Sequence, residues 1–257
     1  MKFSANLGFL YTDLSLPEAV HAAKADGFDA LECHFPYETP PAALKDALRE
    51  TGLRMLALNT WPGDRAAGDF GLAALPDRVP EARAQIARAV EYATAAGVEA
   101  VHVMAGRTDG GAQAEACFRV NLAHACDLAG AQGLGVLIEP INTRDVAGYH
   151  LSGTAHAEQI VDALARPELK VMFDCYHMQI MQGDLAVTLE RLLPKIGHIQ
   201  IAAVPDRAEP DHGEVDYDWL LRHLAAVGYL GHVGAEYRPA ATTRSGLGWL
   251  DRFRQGS

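Results

Sequence analysis

Short apolar runs alternate with longer segments of helical periodicity from one end of the chain to the other. The runs at 3–7, 30–33, 53–59, 100–104, 136–142, 169–174, 196–201 and 232–236 are rich in aliphatic residues. Several are bounded by Gly, Pro or Asp, the pattern of strands buried on both faces. The segments 16–25, 41–50, 80–96, 113–132, 155–165, 184–193, 216–227 and 246–253 read as helices. Ser15 followed by Pro17 opens the first of them, Gly27 ends it, and Gly52, Gly97 and Pro194 stop later ones. Strict alternation of strand and helix implies parallel strands. Eight such units in 257 residues predict an α/β closed (β/α)8 barrel, a TIM barrel, spanning 1–257 as a single domain, with a doubly wound sheet as second choice. The Gly-, Pro- and acid-rich stretches 61–77 and 202–214 are long for connections in such a fold, as loops that serve a site often are.

Composition narrows the classes of function. A hydrophobic content of 49% fills a sizeable core, and a net charge of −11 argues against nucleic acid or an anionic membrane as partner. No stretch stays apolar for the ~20 residues that a membrane helix needs. Met1-Lys2-Phe3-Ser4 leads straight into a strand-like run without the apolar region of a secretion signal. Cys33, Cys117, Cys126 and Cys175 show no CxxC spacing, so reduced thiols in a cytoplasmic setting are expected.

Candidate chemistry begins with Val136–Asn142, which reads Val-Leu-Ile-Glu-Pro-Ile-Asn. An apolar strand that ends in a carboxylate, Glu139, must place it at a mouth, pair it, or give it to a metal, because burying it alone is costly. Asp174, Gln200 and Glu236 end later runs in the same way, each about one strand-plus-helix repeat after the last. Barrels of this kind carry their sites at the C-terminal strand ends, so four side chains from strands five to eight converge there. Two Glu, one Asp and one Gln form an all-oxygen set suited to a hard divalent cation, Mg²⁺ or Mn²⁺. Taken singly, each carboxylate could as well cap a helix or pair with a cation, and Gln200 could satisfy backbone groups. Together without a cation they would repel one another.

The run His198-Ile-Gln-Ile-Ala-Ala-Val-Pro-Asp-Arg-Ala-Glu-Pro-Asp-His-Gly-Glu214 resembles the signature loop of the hydroxypyruvate isomerase family, within the xylose-isomerase-like barrels. Ile138-Glu-Pro-Ile-Asn-Thr-Arg-Asp145 and Phe173-Asp-Cys-Tyr-His-Met-Gln-Ile-Met-Gln-Gly-Asp184 agree with it. The resemblance implies a metal on Glu139, Asp174, Gln200 and Glu236, with Glu139 and Glu236 as the proton-transferring pair. The implied reaction interconverts hydroxypyruvate and tartronate semialdehyde through an enediolate, two acid/base groups serving adjacent carbons. Whether the cation is essential is left open.

By the same analogy His177 hydrogen-bonds the substrate or its oxyanion. Arg207, Arg107 and Arg144 are candidates for the substrate carboxylate, which suits bidentate guanidinium binding. Asp211, His212 and Glu214 are candidates for ordering the long loop, and Tyr37 and Trp61 for walling the pocket. The expected partner is a small hydroxy-keto acid or sugar, in a chain that could form a homo-oligomer. A 2-oxo-tetronate isomerase or a keto-sugar 3-epimerase is the close alternative. From other classes, an endonuclease-IV-like nuclease would need a His-rich centre, whereas strands three and four are expected to end in Asn59 and Met104. A non-catalytic sugar-acid binder is the other.

Overall fold

The computed structural model describes residues 1–255. Eight strands, β1 (Lys2–Asn6), β2 (Ala30–Glu32), β3 (Arg54–Asn59), β4 (Val98–His102), β5 (Gly135–Ile138), β6 (Leu169–Asp174), β7 (Ile196–Ile201) and β8 (His232–Ala235), close in sequence order. Every neighbouring pair is parallel, and β1 pairs with β8 through Phe3 opposite Val233, which rules out the open doubly wound sheet. The helices α1 (Leu16–Ala25), α2 (Pro41–Thr51), α3 (Val79–Ala96), α4 (Gly111–Gly130), α5 (Thr154–Leu164), α6 (Cys175–Met181), α7 (Leu185–Leu192), α8 (Tyr217–Ala226) and α9 (Gly248–Gln255) follow the strands. Among the described residues, no helix is long and apolar enough to cross a membrane.

The local signals work as the residues suggest. Glu18 accepts a hydrogen bond from the Ser15 backbone N–H at 3.0 Å, closing the start of α1. Gly52 and Gly97 end α2 and α3 in the left-handed conformation that glycine adopts without penalty. Most of the core lies between barrel and helices, where Phe3, Trp249 and Phe253 pack against one another. Inside the barrel Ala57, Leu137 and Met172 form a separate buried layer, so the strands enclose packed side chains and the site sits above them.

Two differences from the sequence reading bear on the site. An extra helix, α6, starts directly after β6, with Asp174 as its N-cap accepting from the Tyr176 N–H at 2.9 Å. Strand β4 begins and ends two residues earlier than expected, and its last residue is His102, not Met104. The apolar residues Val103 and Met104 prolong the run past the ladder, which is why hydrophobicity alone misplaced its end. The expectation of a strand-four end without histidine is thereby corrected.

Candidate active site

The four expected residues lie at the same end of the barrel. Glu139 directly follows β5, Asp174 ends β6, Gln200 lies near the end of β7 and Glu236 directly follows β8. All four are buried, and the ladder sets Asp174 beside Gln200. Above them opens a cavity of about 750 Å³ whose lining includes Glu139, Glu236, His34, His102, His177 and Arg207.

Glu236 is the best-anchored of the acids. Its Oε1 accepts from Asn6 Nδ2 at 3.0 Å and meets His34 Nε2 at 2.8 Å, while Oε2 accepts from Arg207 Nη2 at 2.8 Å. The same Arg207 nitrogen reaches Asp174 Oδ2 at 3.3 Å. Arg207 holds a left-handed backbone at φ 55°, and its guanidinium lies over the rings of Tyr176 and Phe9. The loop after β7 therefore delivers one cation into a ring of acids.

These surroundings drive the carboxyls apart. Burial would raise Glu236, but Arg207 and His34 outweigh it and hold the group well below the usual range. Glu139 lacks such partners, so burial, then the neighbouring Glu236 and Asp174, push it well above the usual range. Asp174 is pushed up to about 8 by burial, against the pull of Arg207. One of the paired glutamates is thus held as a carboxylate and the other as an acid, the division that acid–base chemistry uses.

His177 has a defined tautomer. The backbone N–H of Asn142 donates to its Nδ1 at 3.4 Å, and the Asn142 side-chain amide stands 2.6 Å from the same nitrogen. Nδ1 is therefore an acceptor, which leaves the proton on Nε2, 3.5 Å from both Glu139 Oε1 and Asp174 Oδ2. Gln200 is fixed from beneath, its Nε2 donating to Glu32 Oε2 at 2.8 Å, and His198 Nε2 lies 3.0 Å from the same oxygen. That bond turns the amide so that its Oε1 has no protein partner although fully buried.

The donor set fits a hard divalent cation. Glu139, Asp174 and His177 bring potential ligand atoms within 4.8 Å of one another. Glu139 Oε1 and Gln200 Oε1 are buried acceptors without a hydrogen bond. A protonated Nε2 cannot ligate, so the oxygens are the better donors and His177 the better hydrogen-bond donor. Among the described residues, Arg107 lines the cavity with no ion pair of its own, while Arg144 is engaged by the Tyr176 hydroxyl and the Pro205 carbonyl. Glu214 takes a bond from Gln179 of α6, and His212 pairs with Asp211 and with Asp206 on the cavity wall, so Glu214, His212 and Asp211 order the loop without lining the cavity. Tyr37 and Trp61 pack edge to face, with the Tyr37 hydroxyl donating to the Asn59 carbonyl at 2.5 Å.

Sequence reading missed Asn6, Glu32, His34 and His102. His102 is buried, its Nδ1 3.2 Å from Asn59 Oδ1 and 3.7 Å from Glu139 Oε2, and burial lowers it to about 3, so it is neutral. The signal was present: Asn6, Glu32 and His102 each end a strand, and His34 lies two residues beyond β2.

Comparison with known proteins identifies the family. Residues 20–253 match the family model of the xylose isomerase-like TIM barrel. The chain is 48% identical to a 2-oxo-tetronate isomerase from Cupriavidus necator, over 98% of each. It is 38% identical to the hydroxypyruvate isomerase of Escherichia coli, over 99% of this chain and 100% of that one. A crystal structure described as an AP endonuclease, family 2, from Brucella melitensis superposes with a TM-score of 0.93 at 38% identity, covering 98% of both chains. The chain belongs to the xylose isomerase-like TIM barrel family and, within it, to the group that includes the hydroxypyruvate isomerases.

Proposed function

We propose that this protein is an aldose–ketose isomerase of short 2-oxo hydroxy acids, hydroxypyruvate or its four-carbon homologue 2-oxo-tetronate. The observation that carries the reading is the pair of buried glutamates, Glu139 and Glu236, set on β5 and β8 around one cavity with a single guanidinium between the acids. In such a substrate the carbonyl is at C2 and a hydroxyl at C3. One carboxylate removes a proton from C3 and a second acid delivers one to C2, while the hydroxyl proton passes from O3 to O2. Glu236, kept ionised by Arg207 and His34, and Glu139 would be the pair that exchanges protons with C3 and C2. In the reverse direction the roles exchange.

Glu139, Asp174, Gln200 and Glu236 would hold a divalent cation, Mg²⁺ or Mn²⁺, which would stabilise negative charge developing on the substrate oxygens. Holding it requires Glu139 to give up its proton, so metal affinity should rise with pH. His177 offers its Nε2–H to the developing oxyanion. Arg107, without an ion pair among the described residues, receives the substrate carboxylate, and Arg207 supports it with N–H groups not spent on Glu236 and Asp174. The name of the Brucella relative raises phosphodiester cleavage as a second reading. A net charge of −11 disfavours it, because DNA binding draws on basic surface.

The test offers hydroxypyruvate and 2-oxo-tetronate side by side in D₂O and follows deuterium entering C2. Turnover of one or both is expected, and the ratio of kcat/KM values identifies the preferred chain length. Glu139→Gln and Glu236→Gln should each lower kcat by about 10³-fold with the fold intact by circular dichroism. No turnover of either acid, or unchanged activity in both variants, would overturn the proposal. Retained ligand affinity with no wild-type turnover would identify a binding protein instead.

A further inference from the structure

A second cluster of metal-competent side chains lies outside the cavity just described. Glu115 in the first turns of α4, His150 in the loop after β5 and His156 in the first turn of α5 converge on one point. His150 Nε2 stands 3.0 Å and His156 Nε2 2.8 Å from the same Glu115 Oε2. We propose that Glu115, His150 and His156 form a binding site for a borderline divalent transition metal of the zinc type, which fastens the loop after β5 to the first turns of α4 and α5.

The donor chemistry is the first argument. Two imidazoles and one carboxylate, with a fourth position left to water, form a set that zinc takes readily and Mg²⁺ does not seek. Metal–ligand bonds of about 2.0–2.2 Å place neighbouring donors of a tetrahedron roughly 3.4 Å apart. The two histidine–carboxylate spacings need to open by about half an ångström to admit an ion, and all three donor atoms already lie within 4.8 Å of one another. The His156 side chain, 32% exposed, gives the ion a route in, while that of His150 is only 4% exposed.

The surroundings of His150 are the second argument. A ligating histidine usually has its other ring nitrogen held, which fixes the tautomer. Here Thr108 Oγ1 lies 3.1 Å from His150 Nδ1 and itself accepts from the Gly110 N–H at 3.0 Å. A hydroxyl donates to the bare nitrogen when Nε2 carries the proton, and accepts from Nδ1–H when Nε2 binds metal. The ring is also packed edge-on against Phe118 at 5.5 Å and against His156 at 5.5 Å, so its direction is set before any ion arrives. Against the ion stands Arg119, whose Nε donates to Glu115 Oε1 at 2.5 Å, but that contact occupies the other carboxylate oxygen.

The position gives the site a consequence. Thr108 N donates to Gly148 O at 2.8 Å, and His150 N to Gly106 O at 2.9 Å, so the two loops already run side by side. They carry Arg107, Arg144 and Val146 to the cavity wall. An ion on Glu115, His150 and His156 would pin that wall to the first turns of α4 and α5.

The central oxygens could also capture zinc, so the experiment removes them first. In a Glu139→Gln/Asp174→Asn background, equilibrium dialysis against Zn²⁺ at pH 7.5 should retain one equivalent per chain. Zn²⁺ at about a hundredfold excess over Kd should raise Tm by roughly 5 °C or more. Co²⁺ in place of Zn²⁺ should give the visible absorption of a low-symmetry four- or five-coordinate site. Adding His156→Gln, which keeps a hydrogen-bonding amide near Glu115 and spares the core, should weaken Zn²⁺ binding at least about tenfold and abolish the Tm shift. No retained Zn²⁺ in the background protein, or Zn²⁺ affinity unchanged by His156→Gln, would overturn the proposal and leave a hydrogen-bonded triad only. Neither outcome bears on isomerase turnover, which is measured separately.

Discussion

The two halves of the barrel meet the same cavity with opposite equipment. Strands β5 to β8 bring four oxygen donors, Glu139, Asp174, Gln200 and Glu236. Strands β1 to β4 and their loops bring mostly amides and imidazoles: Asn6 and His34 reach Glu236, and His102, held by Asn59, stands 3.7 Å from Glu139. The one acid of the first half within the barrel, Glu32, is turned toward Gln200 and His198 and holds them in place. The second half thus supplies groups able to move protons or bind a cation. Arg207, with His34 of the first half beside it, decides which of them are charged. Burying several carboxylates together is tolerable only with such partners, since each unpaired ion costs several kcal/mol.

The sharpest way to break this division is to remove the cation that the second half supplies for itself. Arg207→Ala leaves Asp174 and Glu236 facing each other without their guanidinium. In metal-free buffer we expect a stability loss of about 3 kcal/mol, of the size found when one partner of a buried pair is deleted. The sign with pH follows from the carboxyls. Without Arg207 both have raised pKa values, so the loss is largest at high pH and shrinks as the pH falls and they protonate. Chemical denaturation at pH 5 and pH 8 measures it, and kcat/KM should drop by about 10²-fold or more. A loss equal at both pH values would show that Arg207 contributes packing over Phe9 and Tyr176 in place of charge.

A smaller effect, from the first half, tests how far its groups contribute to the ionisation across the barrel. His34 lies 2.8 Å from Glu236 Oε1 and helps to hold that carboxyl low. His34→Gln should therefore raise the Glu236 pKa and move the acid limb of the kcat/KM profile to higher pH. Turnover at the optimum should fall only about tenfold, because Arg207 and Asn6 persist. An unshifted acid limb together with unchanged turnover would mean that the first half merely walls the cavity.

The same division explains what the sequence made legible. A carboxylate at the end of Val-Leu-Ile is conspicuous because its ordinary place is the surface, so Glu139, Asp174 and Glu236 stood out, and the strand–helix alternation placed them at one end. Asn6 and His102 end their strands just as regularly, yet a buried Asn or His has an ordinary structural explanation and no register to mark it. His102 was further hidden by Val103 and Met104, which continue the apolar run after the ladder has stopped. The loop carrying Arg207 was recognised by its motif. That its guanidinium would sit between Asp174 and Glu236 depends on a left-handed turn at Arg207 itself, which no periodicity encodes. The cluster of Glu115, His150 and His156 was invisible for a similar reason, since it joins two helices and a loop through side chains with no common spacing.

The smallest expected effect concerns Glu32, the acid that serves without facing the cavity. Its Oε2 accepts from Gln200 Nε2 at 2.8 Å, and this leaves Gln200 Oε1 as a buried oxygen without a protein partner. Glu32→Gln keeps the size of the side chain but lets the new amide present N–H where an acceptor stood, so the Gln200 amide can turn over. Nitrogen would then take the place of oxygen in the ring of donors. The proposed catalytic pair is untouched, so kcat should fall only a few-fold. Mn²⁺ affinity, followed by titration calorimetry, should weaken by about tenfold, the usual scale for a residue that orients a ligand. If Mn²⁺ binds as tightly to the variant as to the native chain, Gln200 is not a ligand, and the cation-binding set reduces to the three carboxylates of β5, β6 and β8.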